Sequence, residues 1–397
     1  MVYLGLTSLF TDVSSEMVST ILPVYLIFFL RLTPLQFGII DGLYQGATAL
    51  VRLAGGIMAD RTRRHKEVAG AGYALSAACK LGLLAAGGAW TALAAVLVLD
   101  RTGKGIRTAP RDALISLSTP RANLAMAFGV HRALDTAGAL LGPLVAFGLL
   151  AWAPNAFDAV FVVSFCVALV GLGVLVLFVE NQPLDRETPA NRGLSFPTIG
   201  GLLATPRFRA LALSGGVLGL VTMSDGFLYL GLQRRLDLGM GFFPLLYVVT
   251  ALFYFLFAVP AGRLADRIGR GRTFITGYAL LTLVYLALLL PSISYWQLIG
   301  LLALFGAYYA ATDGVLMALA SAALPPGVRS TGLAFLTTAT SVARLLSSVL
   351  FGALWTWQGE QVAIILFLTG LLAALALTAV ALARTQTGVE HGQAISV

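Results

Sequence analysis

The sequence predicts an all-α membrane protein with twelve transmembrane helices in two pseudo-symmetric six-helix halves, both termini lying in the cytoplasm. Three observations carry this. The 397-residue chain is 58% hydrophobic and only 11% charged, with a mean hydropathy of +0.88, whereas a soluble domain has about 25% charged residues. Apolar runs of about 18 or more residues, the length that a roughly 30 Å hydrocarbon core requires, recur along the whole chain. Lysine and arginine fall on alternate breaks between these runs, which by the positive-inside rule makes those breaks cytoplasmic.

The twelve apolar segments are expected at 3–30, 36–58, 67–88, 90–118, 122–152, 157–180, 208–232, 242–261, 273–291, 295–322, 329–354 and 361–383. Segment 1 has no basic leader and no small-residue cleavage site, so it reads as a retained helix and not as a signal peptide. The widest break is 181–207, "NQPLDRETPANRGLSFPTIGGLLATPR", polar and proline-rich. It divides a first half at 1–180 from a second at 208–383 and leaves a disordered polar tail, 384–397. Arg61, Arg63, Arg64 and Lys66 follow segment 2, Arg186 and Arg192 lie in the central break, and Arg263, Arg267, Arg270 and Arg272 follow segment 8. The opposite breaks hold only Arg31, Arg234 and Arg235. The net charge of +8 is therefore a topology signal, and no nucleic-acid partner is expected. Cys79 and Cys166 lie in apolar segments, and His65, His131 and His391 are scattered. No disulfide framework, metal site or cofactor is expected.

An internal repeat supports the two halves. "GGIMADRTRRHK" (55–66) and "AGRLADRIGRGR" (261–272) share a Gly-x-x-Ala-Asp-Arg core. One shift of 206 residues carries Gly56 onto Gly262 and Asp60 onto Asp266, and also Trp90 onto Trp296 and Pro120 onto Pro326. On these residues the chain resembles the major facilitator superfamily over nearly its whole length. "GRLADRIGRGR" fits that family's loop signature between helices 8 and 9. The first copy departs from it at Met58, Arg63 and His65. "RTGKG" (101–105) is similar to the family's helix 4 signature Arg-x-x-x-Gly, with Lys104 where glutamine is common. "GALLGP" (138–143) resembles the Gly-x-x-x-Gly-Pro signature associated with antiporters, although Ala146-Phe147 replaces the glycine pair that follows it. The resemblance implies alternating access, a cytoplasmic gate at Gly56, Asp60, Arg61, Gly262, Asp266 and Arg267, and a part for Arg101 in proton coupling.

The stretch "DRTGKGIRTAPRD" (100–112) places charge where charge is costly. Segment 4 has its middle near Gly103, and a charge at the bilayer centre costs about 2.5–3.5 kcal/mol on insertion scales, so it should face the bundle interior or a wet cavity. Helical spacing puts Asp100, Lys104, Arg107 and Arg111 on one stripe. A phosphate cradle is excluded, because "GKG" lacks the Walker spacing and no strand precedes it. Candidate partners lie on segment 1 (Asp12, Glu16), segment 2 (Asp41, Gln45, Arg52) and segment 5 (His131, Arg132, Asp135). Five acids (12, 16, 41, 100, 135) and five bases (52, 101, 104, 107, 132) nearly neutralise one another. These charges read either as structural pairs or as a proton site in which Asp12 or Glu16 is the acid partner of Arg101. Lys80 reads as structural. Gly138, Gly142 and Pro143 suit close packing and a bend in segment 5. The second half is barer, with Asp225, Asp313 and Arg344 among Tyr247, Phe253, Tyr254, Tyr308 and Tyr309.

The expected function is secondary active transport, as a proton-coupled exporter of small lipophilic or cationic compounds, by a monomer in the bacterial inner membrane. The partners are a small-molecule substrate, protons and the lipid bilayer. One alternative is a carrier of small organic or phosphorylated anions bound by the basic stripe, since arginine suits bidentate anion binding. A membrane-embedded enzyme finds no support, because no Ser/His/Asp, HExxH or paired-cysteine constellation is present. A non-transporting receptor would be indifferent to neutralising Asp12, Glu16 and Arg101.

Overall fold

The computed structural model describes residues 2–62, 64–120, 123–180, 196–236, 238–325 and 328–394, with the backbone alone for 49–50, 52–62, 124–125, 196–199, 330 and 384–394. Among the described residues there is no strand. The helices are α1 (Val2–Val24), α2 (Pro34–Thr62), α3 (His65–Ala86), α4 (Trp90–Leu117), α5 (Leu124–Trp152), α6 (Phe157–Phe178), α7 (Phe196–Ala204), α8 (Pro206–Leu220), α9 (Asp225–Leu236), α10 (Phe243–Ile268), α11 (Arg270–Ala287), α12 (Tyr295–Ala323), α13 (Arg329–Gln358) and α14 (Glu360–Ala394). Helix covers each of the twelve expected segments. Among the described residues nine spans are long and apolar enough to cross a bilayer, α8 with α9 counting as one. The other three segments are α2, α4 and α11, whose charged and polar residues dilute their apolar runs.

Three features depart from the sequence reading. The expected seventh segment is two helices, α8 and α9, with residues 221–224 outside any helix. The central break contains α7. The tail expected to be disordered continues α14 as far as Ala394, as helix propagates readily from a formed helix. In addition, Pro23, which has no N–H to give to the helix, is followed by a π-helical turn over Tyr25–Phe29.

The chain divides into two compact units, Met1–Gly193 with Leu238–Val248, and Leu194–Asp237 with Val249–Val397. In the first unit α1 packs on α5 and α6, and α4 on α2 and α3. Small residues make these approaches close, as expected where lipid gives helices no hydrophobic reason to associate. A Cβ added to Gly138 would lie 2.7 Å from the Leu9 carbonyl oxygen, and one on Gly142 2.7 Å from that of Val13 and 2.8 Å from Glu16 Cβ. Ser164 Oγ donates to the Ser14 carbonyl at 2.8 Å and lies 2.8 Å from Ser14 Oγ, joining α6 to α1. Gly72 and Gly103 bring α3 and α4 together in the same way, each Cβ position falling 2.7 Å from the other's carbonyl oxygen. In the second unit Gly277 seats α11 on α12, and Phe227, Phe351, Trp355 and Phe367 form an aromatic core.

Gly142→Ala is expected to push α1 off α5 and to cost about 1–3 kcal/mol, the usual penalty of overpacking. Thermal unfolding of the purified protein measures it. Gly148→Ala, where an added Cβ meets nothing within 4 Å, is the control and should leave the midpoint unchanged.

Candidate functional site

The charged stretch lies on α4 in one unbroken helix, and its charges find partners on the neighbouring helices. Asp100 is 2% exposed and is held from two sides. Lys80 of α3 donates to Oδ1 at 2.8 Å, and Arg101 donates to Oδ2 through Nη2 at 2.7 Å and Nε at 3.2 Å. Ser76 of α3 donates to the Asp100 carbonyl at 3.1 Å. The Gly72–Gly103 contact brings α3 near enough for Lys80 to reach. The guanidinium of Arg101 stacks 3.8 Å over the ring of Tyr44 on α2, a cation–π contact strengthened by desolvation. Arg101 therefore takes its carboxylate from Asp100 and not from Asp12 or Glu16, as the sequence reading had expected.

Asp12 faces Arg107, whose Nη2 lies 3.7 Å from its Oδ1. Arg107 is buried, with Cζ 4.5 Å from the centroid of the Tyr73 ring, and its Nη1 has no hydrogen-bond partner among the described residues. Arg111 donates to Ser8 Oγ at 2.9 Å and to Asp112 at 2.9 and 3.1 Å. It also stands 4.0 Å from Asp135. On α5 His131 is buried, its Nε2 3.5 Å from Asp135 Oδ1, while Arg132 is exposed. On α2, Gln45 donates to Asp41 at 2.8 Å.

Two groups of the cluster stand apart from these pairs. Glu16 accepts a hydrogen bond from Ser19 Oγ at 2.6 Å and has no ion-pair partner among the described residues. The Lys104 ammonium makes no hydrogen bond or ion pair among the described residues, the Lys104 carbonyl accepting from Thr108 Oγ1 at 2.6 Å. Both lie in a shared field, for Asp12, Glu16, Arg101 and Arg107 all act on Lys104. Glu16 is set by the Gly142 contact, since its own Cβ lies against that glycine.

In the second unit Asp225 opens α9 and accepts a very short hydrogen bond from Tyr309 Oη on α12. Arg344 on α13 lies in the field of Asp225, Tyr278, Tyr308 and Tyr309, and Asp313 is exposed. Of the expected gate, Asp266 is exposed and 3.6 Å from Arg270, Arg267 is exposed, and an added Cβ at Gly262 meets nothing. The side chains of Arg52, Gly56, Asp60 and Arg61 lie outside the described residues. Among the described residues no group of three or more His, Cys, Asp or Glu is placed to hold a metal ion.

Sequence reasoning missed the partner of Lys80, the stacking partners Tyr44 and Tyr73, and the break before Asp225. For Lys80 a signal was present. α3 and α4 are joined by a short turn, so antiparallel packing brings 80 and 100 to similar depth.

Asp100→Asn should strand two buried cations, and removing one side of a buried pair costs about 3–5 kcal/mol. Lys80→Met leaves Asp100 with Arg101 and should cost less. The double variant should recover part of the Asn loss. Thermal unfolding of the three proteins tests the order.

Residues 4–252 and 226–394 match the model of the Major Facilitator Superfamily. An uncharacterized MFS-type transporter of Methanocaldococcus jannaschii is 33% identical over 366 residues, which are 90% of this chain and 89% of that protein. An uncharacterized protein of Mycobacterium bovis is 33% identical over 215 residues, 54% of this chain and 48% of that one. Among solved structures, a nucleoside transporter superposes with a TM-score of 0.80 at 14% identity, covering 96% of this chain and 99% of that one. A peptide transporter gives 0.78 at 17% identity, covering 97% and 94%. At such identities the likeness is one of fold.

Proposed function

The chain belongs to the Major Facilitator Superfamily and is a multi-pass secondary transporter of that type, and we propose that it is a proton-coupled exporter of small lipophilic or cationic compounds. In this reading twelve helices span the bacterial inner membrane with both termini cytoplasmic, and the monomer alternates its access between the two sides.

The observation that supports proton coupling is the state of Glu16. Most of the basic stripe is engaged within its own half: Arg101 with Asp100, Arg107 with Asp12, Arg111 with Asp112. Glu16 is held by a hydroxyl and not by a base. A hydroxyl can donate to a carboxylate and, after rotating, accept from a carboxylic acid. Glu16 therefore keeps a partner whether or not it carries a proton, which suits a group that gains and loses one in each cycle. Arg101 and Lys104 lie in its field. A substrate cation then replaces the proton at the same carboxylate, which is antiport by competition.

A second reading, transport of a small organic or phosphorylated anion, is favoured by one observation: the Lys104 ammonium has no partner among the described residues and is available to an anion.

Inside-out vesicles carrying a pH gradient distinguish the two. Lipophilic cations are expected to dissipate the gradient, and Glu16→Gln should slow this by about tenfold or more, the scale on which a proton-transfer group acts. Dissipation by anions alone, lost in Lys104→Met and retained in Glu16→Gln, would establish the second reading instead.

A further inference from the structure

The second unit holds two opposite charges that act on each other without pairing. Asp225 and Arg344 lie in each other's field, yet no ion pair joins them, and Arg344 has no hydrogen-bond or ion-pair partner among the described residues. Opposite charges in a low-dielectric setting gain by closing, and a guanidinium within a membrane span normally finds a counter-ion.

Both charges adjoin the break at 221–224. Tyr285 Oη on α11 accepts from the Met223 N–H and donates to the Val221 carbonyl. Ser347 Oγ on α13 donates to the Thr222 carbonyl at 2.6 Å. The freed backbone is thus fixed from two sides, as non-helical backbone at membrane depth requires. Asp225 then starts α9, where a carboxylate is favoured by the helix dipole, and Tyr309 anchors it from α12. Ser347 lies one turn beyond Arg344 on α13, so the helix that staples the break also presents Arg344 to that region.

Three further features complete the surroundings. Asp225 and Arg344 are only partly buried and so remain accessible. Ser224, 7% exposed and next to Asp225, carries an Oγ with no hydrogen-bond partner among the described residues. Tyr309 is half-buried and is backed by the fully buried rings of Phe305 and Tyr308, with centroid separations of 5.0 to 5.8 Å.

We propose that Asp225, Arg344 and Ser224 form a binding site for an amphoteric small molecule carrying one basic amine and one carboxylate on an aromatic or aliphatic body. The ammonium sits on Asp225, which accepts several hydrogen bonds and retains capacity beside Tyr309. The carboxylate sits on the fork of Arg344, with Ser224 Oγ supplying a further polar contact. The body lies along the ring of Tyr309. A simple amine would leave Arg344 uncompensated, and a simple acid would meet Asp225 without a cation between them. The site rests on secondary transport for its role and departs from the simple cation of that reading by requiring a carboxylate on the same molecule.

Binding to the purified protein in detergent, with no pH gradient, tests the site. The probes are matched series on benzyl, naphthylmethyl and indolylmethyl groups, each offered as the amine, the carboxylic acid and the amino acid. The amino acid of at least one series is expected to bind about tenfold or more tighter than either single-charge form, as charge-assisted hydrogen bonds imply. Arg344→Gln should then reduce its affinity to that of the amine, and Asp225→Asn to that of the acid. Arg344→Lys and Asp225→Glu keep the charges, so they should retain part of the preference and show that the protein is folded. Equal affinity for the three forms, a preference for a single charge, no binding in any series, or an amino-acid preference indifferent to both substitutions would overturn the proposal. If binding holds while gradient dissipation is indifferent to Glu16→Gln, proton coupling fails and this site stands. If Glu16-dependent dissipation holds without the amino-acid preference, only this site fails.

Discussion

The cost of a lone charge in hydrocarbon governs the first half of this molecule. Asp100, Arg101, Arg107 and Lys80 are each 5% exposed or less, so solvent does little to stabilise them. Their geometry follows from that cost. α3 must come close to α4 for Lys80 to reach Asp100, and it does so because Gly72 and Gly103 face each other with no side chain between. Arg101 turns onto the adjacent Asp100 and covers its remaining face with the Tyr44 ring. The triad then leaves one positive charge in excess, with Glu16 of α1 in the field of Arg101. Position on the helix wheel alone would not give this arrangement. The glycines set the distances, and the distances decide which acid each base can find.

How much of this was legible beforehand depended on whether the signal was local. The twelve segments, the charged stretch and the repeated loop are properties of composition and spacing, and helix covers every expected segment. Partners are properties of packing. Asp100 and Arg101 are sequence neighbours on different sides of a helix wheel, so a stripe argument separates them, yet a short carboxylate and a long guanidinium meet across that angle at 2.7 Å. The break at Val221–Ser224 carries no proline or glycine to announce it. It exists because Tyr285 and Ser347, from helices far along the chain, satisfy the backbone groups that an intact helix would have paired. Gly138 and Gly142 were legible as packing residues from their four-residue spacing, but their alignment with Leu9 and Val13, which sets the height of Asp12 and Glu16, was not.

The two units meet the same constraint by different means. The first keeps its backbone helical through α4 and neutralises side chains against side chains. The second carries fewer charges and breaks a helix, so that backbone groups and the end of α9 share the task. In both, one carboxylate is held by a hydroxyl: Glu16 by Ser19 and Asp225 by Tyr309. A carboxylate locked to arginine in a closed bidentate pair is removed from exchange, because parting the pair leaves an uncompensated charge. A carboxylate held by a hydroxyl keeps its position and its capacity to accept another donor. Static pairs such as Lys80–Asp100 and hydroxyl-held acids such as Glu16 are therefore separate solutions to the problem of acid in a membrane. The first fixes helices to one another, and the second leaves a group that can change partner while the helices around it stay in place.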